Sequence, residues 1–256
     1  MIMATVGSVL IASPVYAKNS CDIELTSQVN IDNNTIEFFA KDRNNLSLYK
    51  IENNERLFVA GNSVSLDSQQ QELVTTYAKS VRALVPEVQA VVIEGVDLAI
   101  DGVNLAFDGL LGEGNALASD LTAELVKIRE DALTQYSIEH GFSVGGSQDE
   151  VKVKEYEQRI ESLVEKSVMN SMGTILIALG QQMLSSDGQG EDFETRMENF
   201  GQTMEVEMEK RSDKIEQKAQ AFCQSIKAVD VLEEQLKSSI SELAQTDVIN
   251  VKHSKG

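Results

Sequence analysis

The chain has 256 residues, 42% hydrophobic and 25% charged, enough apolar material for a buried core and too much for a disordered chain. Its 22 basic residues stand against 41 acidic ones, a net charge of −19, so its surface repels nucleic acid and anionic membrane faces. With no Trp and 5% aromatic residues it also lacks the stacking platforms on which bases are held.

Residues 2–15 form an uncharged apolar run that closes on Val15-Tyr16-Ala17 and gives way at once to Lys18-Asn19-Ser20 and Cys21. An apolar stretch ending in a small-residue site predicts a signal peptide over 1–17, cleaved after Ala17, and therefore export to the periplasm. No Lys or Arg precedes the run, which points to a start upstream of Met1 or a clipped one. The run is shorter than the ~20 residues that span a bilayer, so no transmembrane anchor is expected. Lys18-Asn19-Ser20 lacks the apolar and small residues that a lipoprotein signal places before its cysteine.

The chain has two cysteines, Cys21 and Cys223, and both survive cleavage. In an oxidising compartment such a pair predicts one disulfide, in preference to two buried thiols that never meet. Closing so long a loop is worth on the order of 5 kcal/mol in the chain-entropy account. No C-x-x-C is present to support thiol exchange.

Between Cys21 and Leu66 apolar residues alternate in short runs: Ile23 and Leu25, Val29 and Ile31, Ile36 and Phe38, Leu46 and Leu48, Leu57 and Val59, Val64 and Leu66. Period two predicts strands with one buried face, and Asp32-Asn33-Asn34 and Glu52-Asn53-Asn54-Glu55 supply turns. The segment 18–67 is expected to be an antiparallel meander of four to six strands resting on something helical.

From Asp67 the period becomes helical. Ser68 is expected to cap a helix running to Leu111, kinked or split at Pro86. Gly112-Glu113-Gly114-Asn115 ends it, a second helix follows over 116–138, and the glycine-rich stretch 140–148 is expected to be a loop. A third helix over 150–184 and a fourth over 191–243, broken near Cys223, complete a helical domain spanning 68–247. The remaining 248–256 is expected to be a flexible tail.

Residues 95–108 contain a heptad repeat, Gly-Val-Asp-Leu-Ala-Ile-Asp then Gly-Val-Asn-Leu-Ala-Phe-Asp, with a further glycine at 109. Each helical glycine costs nearly 1 kcal/mol relative to Ala, so something must offset the loss. Gly95, Ala99, Gly102, Ala106 and Gly109 share a face that forms a shallow helix-packing groove. Folding about 112–115 sets that groove against Leu117, Leu121, Leu125, Ile128 and Ala132 of the second helix. A second mirror, about Gly188, pairs Met183 with Phe193, Leu179 with Met197, Leu176 with Phe200, Met172 with Met204 and Met169 with Met208, and brings Glu165 near Arg211. Two antiparallel helical hairpins follow.

No motif specifies a reaction. Gly141-Phe142-Ser143-Val144-Gly145 matches G-x-S-x-G, but a nucleophile elbow needs a strand before its serine and a helix after it, whereas a helix precedes this one and a loop is expected to follow. His140 and His253 are too few and too scattered for a zinc or iron site, so neither metal nor cofactor is expected. Asp97, Asp101, Asn104 and Asp108 form a stripe read as a solvated acidic edge. The methionines of the mature chain, Met169, Met172, Met183, Met197, Met204 and Met208, are read as filling the seam of the second hairpin. The alternatives are an adaptable apolar surface or a copper(I) site.

A leader, an early cysteine, a β segment ending in Gly61-Asn62-Ser63-Val64-Ser65-Leu66, the run Tyr77-x4-Arg82-x3-Pro86 and a helix bearing Glu94-Gly95-Val96-Asp97-Leu98-Ala99 resemble the YggN-like family. Those are exported proteins of γ-proteobacteria grouped as a domain of unknown function. The resemblance covers nearly the whole mature chain, implies the periplasm, and carries over no catalytic residue. The sequence therefore predicts an α+β fold: a small N-terminal meander packed on four long antiparallel helices. The expected function is non-enzymatic, an interaction or binding protein of the cell envelope. Its partner would be an envelope protein, a second copy of the chain or an apolar ligand; a carrier of lipid and an enzyme of unknown reaction are the alternatives.

Overall fold

The computed structural model describes residues 23–41, 46–111, 116–146, 149, scattered positions between 151 and 173, and 191–251. The fold is α+β, as the change of period near Asp67 predicts. Strands β1 (Ile23–Leu25), β2 (Ser27–Ile31), β3 (Thr35–Ala40), β4 (Ser47–Glu52), β5 (Arg56–Val59) and β6 (Asn62–Ser63) precede helices α1 (Ser68–Leu111) and α2 (Ala116–Gln135). Strand β7 (Phe142–Val144), helix α3 (Glu191–Ser239), a 3-10 turn at Ser241–Leu243 and strand β8 (Ile249–Val251) follow.

The main sheet is antiparallel and runs β6-β5-β4-β3-β2-β7. Its hairpins are made by the residues that tolerate turn geometry. Asn53 and Asn54 both take positive φ, 52° and 61°, in the three-residue connection between Glu52 and Arg56, where the Glu55 amide donates to the Glu52 carbonyl at 3.0 Å. The Asp32 carboxylate accepts the amides of Asn34 and Thr35 at 2.8 and 2.7 Å. Arg82 of α1 clamps both tips, donating from Nε to Asn54 Oδ1 at 2.8 Å and from Nη1 to the Asp32 carbonyl.

One face of the sheet is buried, through Val29, Ile31, Ile36, Phe38, Tyr49, Ile51, Leu57 and Phe142. Two helical stripes cover it: Val74, Tyr77, Ala78, Val81 and Val85 from the first half of α1, and Ile226, Val229 and Leu236 from the second half of α3, with Ile240 just beyond its end. Each large side chain so buried contributes roughly 1.5–3 kcal/mol. The meander thus rests on helices, as its single apolar face requires.

Five expectations need correction. Asp67, not Ser68, caps α1: its carboxylate accepts the Gln69 and Gln70 amides at 2.8 and 2.9 Å, while its own amide donates to Gln70 Oε1 at 3.0 Å, a reciprocal capping box. Pro86 does not split α1, nor does a break near Cys223 interrupt α3. The stretch after α2 is not all loop, because Phe142–Val144 adds to the edge of β2 with Ile31 opposite Phe142 and Val29 opposite Val144. Gly145 follows at φ +86°, and a Cβ there would sit 2.4 Å from the Ser27 carbonyl oxygen, so only glycine lets the chain leave that edge. The supposed tail begins with a buried Val248 and with β8, which pairs antiparallel with β1 rather than hanging free.

The first hairpin has the predicted axial register but a different face. Asn104 accepts from the Thr122 hydroxyl at 2.9 Å and Asp97 pairs with Arg129 at 2.8 Å, so α2 meets Asp97 and Asn104 of α1. Two positions of the groove face α3 instead: Met208 lies over Gly102, and the Phe200 ring lies where a Cβ of Gly109 would be. Glycine gives way to the bulkiest neighbour, which here is an aromatic ring. The third predicted helix falls largely outside the described residues; those described from Asp149 to Gly173 are helical.

Candidate functional site

An apolar cavity of about 300 Å³ lies between the sheet and the two long helices. Ile23 and Leu25 of β1, Val29 and Ile31 of β2, Phe38 of β3, Phe142 and Val144 of β7 and Ile249 of β8 form one wall. Val81, Leu84, Val85 and Val88 of α1 and Phe222 and Ile226 of α3 form the other. The spacing follows from the elements: alternate residues of each strand share a face, and residues three and four apart on a helix share a stripe. Every described lining residue is apolar, so among the described residues the cavity offers no side-chain hydrogen bond and no charge. It is about twice the ~150 Å³ of an apolar cavity that admits a benzene ring, and at the lower end of ligand-pocket sizes.

Beside the cavity lies a buried polar cluster. The Tyr49 and Tyr77 hydroxyls share a hydrogen bond of 2.8 Å, and Phe38, whose ring stacks on Tyr49 at 4.5 Å, joins the cluster to the cavity wall. Burial pushes both hydroxyls well above the usual tyrosine value. Glu233 of α3 is 2% exposed. It accepts the amides of Val248 at 2.7 Å and Ile249 at 3.1 Å, holding the start of β8. Burial, partly offset by those two amides, pushes its pKa up to about 7. One turn on, Lys237 pairs with Glu234 at 2.6 Å and Asp247 at 3.0 Å.

The site residues predicted from sequence fall unevenly. Cys223 is buried next to Phe222 of the cavity wall and is not a free thiol; Cys21 lies outside the described residues. Gly95 and Ala99 are exposed and Ala106 is half-buried, so of the groove Gly102 and Gly109 make the close approaches. The acidic stripe stays at the surface, with the Asp97 and Asp101 side chains 44% and 38% exposed, and it is salt-bridged there: Asp97 pairs with Arg129 and Asp101 with Arg211. Arg211 also reaches Glu207 at 3.8 Å, while the expected partner Glu165 is exposed. Met169 is 70% exposed and fills no seam, whereas Met204 is half-buried and Met208 packs on Gly102. Met172, Met183 and the Met197 side chain lie outside the described residues.

Ser143 of the G-x-S-x-G match donates to Asn30 Oδ1 at 2.9 Å on the sheet surface, and His140 Nδ1 bonds Ser137 Oγ at 2.8 Å; His253 lies outside the described residues. Among the described residues no group of His, Cys, Asp or Glu could hold a metal ion, and no helix is long and apolar enough to cross a membrane. Phe142, Val144 and Ile249 join the wall from strands of three residues each, too short for their alternation to mark them in the sequence. Glu233 carries no local signal, since nothing sets it apart from the chain's other carboxylates.

No curated protein and no solved structure matches the chain. A family described as a protein of unknown function, DUF2884, matches residues 21–249, nearly the whole of the sequence from the first cysteine to β8. The chain belongs to that family.

Proposed function

We propose that this protein is a non-enzymatic binding protein of the cell envelope that holds a short acyl chain or similarly slender hydrocarbon in the cavity under its sheet. The cavity carries this reading: an apolar void of about 300 Å³ is a standing loss of packing that a hydrocarbon would restore. Its walls offer nothing to orient a reacting polar group. A leader over 1–17, the YggN-like resemblance and a Cys21–Cys223 disulfide belong to the same reading, and together they support a periplasmic location. That disulfide would tie the residues before β1 to α3 beside Phe222, bracing two walls of the cavity. A helix over 150–184 would complete the second hairpin.

The test uses the apolar fluorophore N-phenyl-1-naphthylamine with wild-type protein and with Val81→Phe and Val85→Phe, which fill the cavity from α1. Saturable fluorescence enhancement in the wild type, lost in both variants at unchanged unfolding midpoints, supports the proposal. No saturable binding, or binding that survives both substitutions, overturns it.

A further inference from the structure

We propose that β8 is the door of the apolar cavity, swinging on the 3-10 turn while β1 stays fixed, with Glu233 and Lys237 of α3 as its latch; this role presupposes the ligand-binding function above. The two strands of the ribbon are held differently. Thr26 alone separates β1 from β2, so β1 is anchored by the six-stranded sheet. In contrast, β8 is three residues long and belongs to a two-stranded pair, Ile249 opposite Leu25 and Val251 opposite Ile23. Isolated two-stranded pairs are marginal in water. Ile249 forms part of the wall of a cavity some of whose other lining residues, such as Leu25 and Val144, are only half-buried, so lifting β8 widens an existing mouth.

What fastens β8 is concentrated just before it. Thr26 donates its amide to the Val248 carbonyl at 3.0 Å and its hydroxyl to the Asp247 carbonyl. Lys237 holds the Asp247 carboxylate, and Glu233 holds the amides of Val248 and Ile249. Glu233 is walled from water by the strand it holds. A carboxylate kept from water binds its proton more tightly than one in solvent, so the closed door favours protonated Glu233 and the open door favours the charged form. Opening therefore becomes more frequent as pH rises through the neutral range. The groups facing Glu233 do not reverse that sign. Lys237 stays cationic: partial burial works against it, but Glu234 and Asp247 together outweigh this and raise its pKa. Tyr77 of α1 and Tyr49 of β4 keep their protons, and the negative charge of Asp247 adds to the cost of ionising Glu233.

The experiment is amide hydrogen exchange on the oxidised full chain at pH 5.5 and 8.5, corrected for the intrinsic pH dependence of exchange, together with the uptake rate of N-phenyl-1-naphthylamine. Amides of Val248–Val251 should exchange at least about tenfold faster at the higher pH, a change equivalent to one pKa unit. Those of β3 and β4 should hold steady, and Glu233→Gln should flatten the β8 response. The door is overturned if the β8 amides show no pH dependence, respond in the opposite sense or move together with β3 and β4. It is also overturned if Glu233→Gln folds and keeps the wild-type ratio; should that variant not fold, the wild-type comparison decides. A β8 response without probe binding at either pH upholds the door and removes the ligand. Probe binding with a flat β8 upholds the ligand and removes the door.

Discussion

Three glycines on one helix give a graded test of how α1 packs. Replacing a helical glycine by alanine is favourable by about 0.8–1.0 kcal/mol where there is room for the methyl group. At Gly95 a Cβ meets nothing within 4 Å, so Gly95→Ala should yield that full gain. At Gly102 the nearest atom is the Met208 methyl at 3.5 Å, an ordinary contact, so Gly102→Ala should keep most of it. At Gly109 a Cβ would lie 2.2 and 2.4 Å from two carbons of the Phe200 ring, so the ring or the helix must move. Overpacking of this kind costs typically 1–3 kcal/mol, which cancels or exceeds the propensity gain. Gly109→Ala should therefore be about 1–3 kcal/mol less stable than Gly95→Ala, and Phe200→Ala should abolish the difference. Urea unfolding of the single variants and of each glycine change in the Phe200→Ala background measures this directly. Equal midpoints for Gly95→Ala and Gly109→Ala would falsify the α1–α3 contact and return the groove to α2.

Three further outcomes follow from the buried cluster and the cysteines. Tyr49→Phe or Tyr77→Phe alone orphans a buried hydroxyl and should cost about 1–3 kcal/mol, while the double variant should cost much less than the sum; additive losses in urea would show that the pair is not coupled. Because the folded-state pKa of Glu233 is raised from 4.5 to about 7, the folded state binds that proton more tightly than the unfolded chain. Its stabilising contribution is complete below about pH 4.5 and is lost as pH rises through 7, a change of about 3 kcal/mol. Wild-type and Glu233→Gln unfolding free energies followed over that window should diverge by this amount, and parallel profiles would contradict the burial argument. Reduction or Cys223→Ser should remove on the order of 5 kcal/mol, and reduction should add two hydrogens to the intact mass. An unchanged mass would refute the Cys21–Cys223 bridge.

The sequence by itself determined what depends on local periodicity. Alternation from Ile23 to Leu66 marked the strands, Asn53-Asn54 the turn, and the change of period at Asp67 the long helix, because those signals reside in residues that are neighbours along the chain. The axial register of the first hairpin was also legible, since a short connection leaves two helices one way to fold back. Only the tertiary structure decided which face met which neighbour. Gly102 and Gly109 turned to Met208 and Phe200, while Asp97 and Asn104 turned to Arg129 and Thr122, because an α-helix with both small and polar stripes can satisfy either partner on either side. Short strands were harder still. Phe142–Val144 and Ile249–Val251 are three residues long, too few for alternation to stand out, and each becomes a strand only because an open edge, of β2 or of β1, is there to receive it. The cavity and Glu233 were beyond local sequence for the same reason. A void is defined by walls from seven separate elements, and a carboxylate becomes unusual only when the fold shuts water away from it.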